Sequence, residues 1–223
     1  MLPLPLNTEQ SILHSCCGKV ICKGCVITMV ESEGGKDLCP FCRTPYASSN
    51  EEEIKRLKMR MNKGDAEAFS LLAGSYHRGN MGLPQDHQKC IELNLKAGEL
   101  GCAKAYNNLG IYYARGIGVE IDQKKAKQCY ELAAMGGYLD ARHHLGCVEA
   151  HDGNNDWAKR HFIIAARAGH KESLDAVKEG YTNGMITKDE YANTLRAYHE
   201  RHKEMKSDER DKAAQTRNHV EYI

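Results

Sequence analysis

Residues 105–137 read AYNNLGIYYARGIGVEIDQKKAKQCYELAAMGG, and this stretch decides the fold. Ala105, Leu109 and Tyr113 recur at helical spacing, which predicts one amphipathic helix. Asp122 stands where an N-cap belongs, so a second helix starts behind it and runs to a closing glycine, Gly137. The paired alanines Ala133 and Ala134 let a neighbouring helix come close.

The same frame returns along the chain as AFSLLAGSYHRG from Ala68, ARHHLGCVEAHD from Ala141 and SLDAVKEGYTNG from Ser173. Four positions on from each start stands Leu72, Leu109, Leu145 or Val177. Eight on stands Tyr76, Tyr113, Glu149 or Tyr181, and eleven on Gly79, Gly116, Asp152 or Gly184. Four before each start stands Gly64, Gly101, Gly137 or Gly169. Asp86 and Asn154 occupy the place of Asp122, and Ala165/Ala166 that of the alanine pair. Fixed-period self-similarity of this kind marks a stacked array, since one helix pair cannot bury its own apolar face. The pattern resembles Sel1-like repeats, relatives of the tetratricopeptide repeat, over roughly residues 51–195. The resemblance implies an α-solenoid over 65–186 that binds a protein on its concave side, with Tyr112, Asn108 and His144 as candidates for that surface. Tyr76, Tyr113, Tyr130 and Phe162 read as core. The widely spaced Cys90, Cys102, Cys129 and Cys147 read as small core residues.

The chain has 31 Lys+Arg against 30 Asp+Glu and 7% aromatics. That near-neutral balance lacks the electrostatic footprint of a nucleic-acid binder, so a protein partner is expected. No basic, apolar leader and no membrane-length apolar run is legible, so an intracellular, cytoplasmic setting is expected. No nucleophile–base pairing, phosphate loop or paired carboxylates placed for chemistry stands out.

Six of the ten cysteines crowd into SCCGKVICKGC, residues 15–25, and CPFCR, residues 39–43. Two Cys-x-x-Cys pairs, Cys22/Cys25 and Cys39/Cys42, follow Cys16/Cys17. In a reducing compartment such clusters bind metal more often than they form disulfides. A segment of about 45 residues cannot fold on burial alone, so structural Zn2+ is expected. Cys16 and Cys17 can share a metal only across a kink, which Gly18 permits. His14, three before Cys17, is a rival donor.

The order Cys-Gly-Lys-Val-Ile-Cys-x-x-Cys, a short helical stretch and Cys-Pro-Phe-Cys-Arg resembles the RING-type zinc finger over residues 1–46. The resemblance implies a cross-brace in which Cys16/Cys17 share one zinc with Cys39/Cys42, while Cys22/Cys25 hold half of a second site. Lys19 stands at the family's usual histidine position, so the chain resembles an all-cysteine variant of it. The family's first Cys-x-x-Cys would lie ahead of PLPL, and Met1 is expected to be an internal methionine. The resemblance further implies docking of a ubiquitin-conjugating enzyme by Pro40, Arg43, Val26, Ile27 and Val30. Arg43 would bridge enzyme and ubiquitin.

Between the two parts, Ser49 or Asn50 with Glu52 or Glu53 predicts a capped helix within 47–64. Ile54, Leu57 and Met61 share one face of it, as in an incomplete first repeat packed on Ala68–Arg78 that mounts the finger rigidly. Over 187–223, Thr187 and Glu190 form a capping box, Tyr191, Leu195 and Tyr198 seal the last repeat, and a polar tail follows Arg201. The expected protein is mainly α, a zinc-binding interaction scaffold. It reads either as a RING-type E3 ubiquitin ligase or ligase subunit, or as a non-catalytic adaptor.

Overall fold

The computed structural model describes residues 11–22, 25, 26 and 38–204. Two short strands, β1 (Ser11–Leu13) and β2 (Val20–Cys22), pair antiparallel with Ile12 opposite Ile21. Nine helices follow among the described residues: α1 (Asn50–Met61), α2 (Ala66–Arg78), α3 (His87–Glu99), α4 (Ala103–Arg115), α5 (Gln123–Met135), α6 (Leu139–His151), α7 (Asn155–Arg167), α8 (Lys171–Thr182) and α9 (Lys188–Glu204). The described residues fall into two compact units, divided within α1 after Arg56 and within α9 after Arg201.

In the larger unit each helix from α2 to α7 packs on the next in sequence. The repeat frame explains why. Its starting residues, Ala68, Ala105, Ala141 and Ser173, are all 0% exposed. One turn on, Leu72, Leu109, Leu145 and Val177 are buried as well. Small side chains at the first position and branched ones at the second let adjacent helices close to contact. At Gly110 a methyl group would lie 2.4 Å from the Tyr130 ring of α5, so only glycine admits that approach.

Second helices start on aspartate caps: Asp86 accepts from the Lys89 N–H and Asp122 from the Lys125 N–H. Asn154 is the N-cap of α7, as its place in the frame predicts, but its side chain makes no cap bond and its Nδ2 instead donates to Glu149 Oε2 at 2.8 Å. The closing glycines Gly101, Gly137 and Gly169 have φ of 95°, 82° and 103°, a left-handed turn that ends each second helix. Asp152 stands at the eleventh position of its repeat in right-handed conformation, and the next residue, Gly153, takes the turn at φ 79°.

The flanking helices are capped as their sequences predict. Glu52 Oε2 accepts from the Ser48 N–H at 2.9 Å, and Ser49 Oγ accepts from the Glu52 N–H. Thr187 and Glu190 bond reciprocally. Arg60, near the end of α1, pairs with Asp65, the N-cap of α2. Tyr191 joins the cluster of Ala166, Val177 and Ile186, but the fully buried residue of α9 is Thr194.

Some side chains sit differently from their sequence reading. Tyr112 is not on the surface: it is buried, and Cys90 Sγ donates to its hydroxyl at 3.2 Å. Cys90 and Cys102 are core residues and Cys129 is half-buried, yet Cys147 is exposed. Among the described residues, no helix is long and apolar enough to cross a membrane.

Candidate metal centre

The smaller unit is organised by two turns. After β1 the chain tightens, with the Cys17 and Gly18 N–H groups both donating to the His14 carbonyl. Gly18 lies at φ 74°, so Cys16 and Cys17 project from a turn and not from opposite faces of a strand. The second turn runs from Cys39 to Thr44. The Arg43 N–H donates to the Cys39 carbonyl at 2.9 Å, and the Cys39 N–H donates to the Thr44 carbonyl at 2.8 Å. Leu38 and Pro45 pair across its base.

These turns bring four sulfurs together. The Sγ atoms of Cys16, Cys17, Cys39 and Cys42 all lie within 4.8 Å of one another. Cys17 to Cys39 is 3.7 Å and Cys16 to Cys42 is 3.4 Å. Four tetrahedral sulfurs, each about 2.3 Å from a zinc ion, would stand about 3.8 Å apart. The spacing is far longer than an S–S bond, and none of the ten cysteines forms a disulfide. Cys39 is 0% exposed.

The electrostatics are uneven. The Thr44 hydroxyl and backbone N–H bond the Cys42 sulfur and hold its thiol down to about 6. Burial, with the neighbouring sulfurs, pushes the Cys16 thiol far up, and burial raises Cys17 too. A divalent cation needs thiolates, so binding here would release protons from the raised members. Soft sulfur donors in a set of four suit Zn2+ among common divalent metals. The residues present therefore fit a structural zinc.

Cys22 and Cys25 form a separate pair, with sulfurs 3.1 Å apart and the Cys25 N–H donating to Cys22 Sγ at 3.4 Å. His14 is not in the four-sulfur group. It is buried, stacked on Tyr46 at 5.6 Å and edge-on to Phe41, and burial lowers its pKa. Pro40 and Val26 are half-buried and Arg43 is exposed in left-handed conformation at φ 59°. Ile27 and Val30 lie outside the described residues.

On the helical array, Asn108 is half-buried with its Nδ2 donating to Asn94 Oδ1 at 3.4 Å. His144 Nδ1 lies 2.9 Å from Asn107 Oδ1, and burial holds its pKa down to about 4. Sequence reasoning missed a pairing on α6. Cys147 Sγ lies 3.6 Å from His143 Nε2, and the Cys-to-His separation of four residues could have flagged it.

With this geometry, comparison with known proteins is informative. The Sel1 repeat family model matches residues 67–102 and 103–138, which are the first two helix pairs of the array. A Sel1 repeat protein from Oxalobacter formigenes is 29% identical with a TM-score of 0.52, over 57% of this chain and 98% of that one. The protective antigen c5321 of uropathogenic Escherichia coli, which displays an SLR fold, is 19% identical with a TM-score of 0.60. It covers 89% of this chain, which spans 41% of that protein's length. Residues 67–138 thus match Sel1 repeats, the helix pairs after them continue the same buried frame, and the chain also carries a cysteine cluster able to hold a metal ion.

Proposed function

We propose that the protein is a recruiting scaffold in which one chain carries a RING-type zinc module and a Sel1-repeat surface that holds a protein target. One observation carries the reading, the interleaved order of the four sulfurs. A simple zinc knuckle would join neighbouring pairs along the chain, Cys22/Cys25 with Cys39/Cys42. Instead Cys16/Cys17 meet Cys39/Cys42 and Cys22/Cys25 are skipped. That order supports a cross-brace, with Cys22/Cys25 as donors to a second ion.

Zn2+ held by four thiolates has no open position for water, so its contribution there is to fix the fold. The chain's own residues would do the rest by position. Cys39 and Cys42 set the turn that carries Arg43, whose planar guanidinium can bond two acceptors at once. Pro40, in the same turn, and Val26, with Ile27 next to it in sequence, would supply the apolar part of that surface. In the ligase reading this surface docks a ubiquitin-conjugating enzyme, and Arg43 steadies the ubiquitin thioester by hydrogen bonding alone.

The test is auto-ubiquitination by the zinc-loaded chain across a broad panel of conjugating enzymes. Product that drops at least about tenfold in Arg43→Ala, with zinc content unchanged, supports ubiquitin transfer. No product with any member of the panel overturns it and leaves an adaptor.

A further inference from the structure

Within the helical array, Cys147 is the exposed cysteine, and its sulfur faces a built site. Cys147 and His143 stand one turn apart on α6, and the neighbours of His143 hold its ring in place. His170 Nδ1 accepts the Ser173 N–H at 3.1 Å, so that nitrogen carries a lone pair. The Ser173 hydroxyl lies 3.0 Å from the same atom and 3.0 Å from His143 Nδ1. With the His143 proton on Nδ1, facing Ser173 Oγ, its lone pair is on Nε2, the atom 3.6 Å from Cys147 Sγ. Ser173 is 0% exposed, so the relay is held in place by the core. Beyond it, His170 Nε2 faces Asp140 Oδ1 at 3.7 Å and Glu172 Oε2 at 3.6 Å.

We propose that Cys147 and His143 form a nucleophile–base dyad, a site of reversible thiolation by small disulfides. His143 Nε2 takes the proton as the Cys147 sulfur attacks one sulfur of the disulfide. A new S–S bond forms to Cys147, the old S–S bond breaks, and the leaving thiolate collects the proton from His143. The Cys147 sulfur is oxidised, the leaving sulfur is reduced, and no other oxidant is required. Nucleophile, base and orienting groups follow the arrangement that activates weak nucleophiles. Burial keeps His143 neutral by lowering its pKa, with the His170 ring adding to that and Glu172 and Asp140 opposing it. Burial also raises the Cys147 thiol, so its unaided thiolate is scarce and the base matters.

The test incubates the zinc-loaded full chain with oxidised glutathione and follows each cysteine by peptide-mapping mass spectrometry. Cys147 should be thiolated faster than Cys129, and at least about tenfold faster at pH 7 than in a folded His143→Gln variant. The wild-type rate should fall below the usual histidine range and level off above it, where an unaided thiol climbs about tenfold per pH unit. The groups facing His143 during that titration are His170, His144, Asp140 and Glu172. Equal rates in wild type and variant, or no preference for Cys147 over Cys129, overturn the proposal. Should His143→Gln fail to fold, the wild-type profile decides alone, and a rise of about tenfold per unit throughout refutes the dyad.

Discussion

Among the described residues from His14 to Tyr46, three side chains are buried: His14, Cys22 and Cys39. In the helical array Leu72, Leu109, Leu145 and Val177 are buried in register, each beside a fully buried small residue of the same helix. The array is held by apolar contact that every repeat renews. The described N-terminal residues show no comparable store of apolar surface, and two of their three buried side chains are cysteines. Regular burial needs no cofactor, whereas a turn-rich segment with four converging sulfurs can be ordered by an ion.

Removing metal should part the two regions most sharply. A strong chelator at neutral pH should cost the cysteine unit on the order of 10 kcal/mol. Amide exchange at Cys17, Gly18, Cys39 and Arg43 should become fast while the far-ultraviolet helical signal stays. Equal loss of order in both regions would break the comparison. Leu109→Ala acts on the other side: at 0% exposure it should destabilise the array by about 3–5 kcal/mol in urea unfolding. Zinc content should be unaffected.

Acid should weaken the array by a smaller amount. Burial holds folded His144 at about 4 against an ordinary 6.5, so the unfolded chain takes up the proton first as pH falls. Stability is therefore complete above about pH 6.5 and is lost between there and pH 4, by up to about 3 kcal/mol for this group. Burial lowers His77, His143 and His161 in the same direction. Urea midpoints at pH 7 and pH 5 measure it, and an unchanged midpoint would contradict the burial argument. Asp122→Ala, which removes the cap bond to the Lys125 N–H, should cost about 1 kcal/mol. A much larger loss would mean that α5 depends on its own start more than on its neighbours.

The array was legible because its signals are local. A small residue, a branched one four on and a closing glycine state the helix, its buried face and its end within a few residues. Tyr112 was misread for a reason of the same kind. A helix inside a stack touches neighbours on two sides, so a position beside the main apolar stripe can also be covered. The sulfur site was legible in its donors, Cys16, Cys17, Cys39 and Cys42, through their spacing. Their interleaving depends on how two turns fold together, and it entered only through a family resemblance. The Cys147–His143 pair shows the limit most clearly. Its spacing lay in plain view, but the groups that orient it, Ser173 and His170, come from about 30 residues further on.

The most direct test is native mass spectrometry of the purified chain with its cysteine variants. The four-sulfur site predicts zinc in the wild type, one ion fewer in Cys39→Ser, and that same ion retained when Cys22 and Cys25 are both changed to serine. A metal-free wild type, or loss of all zinc in the Cys22→Ser/Cys25→Ser variant, would contradict it.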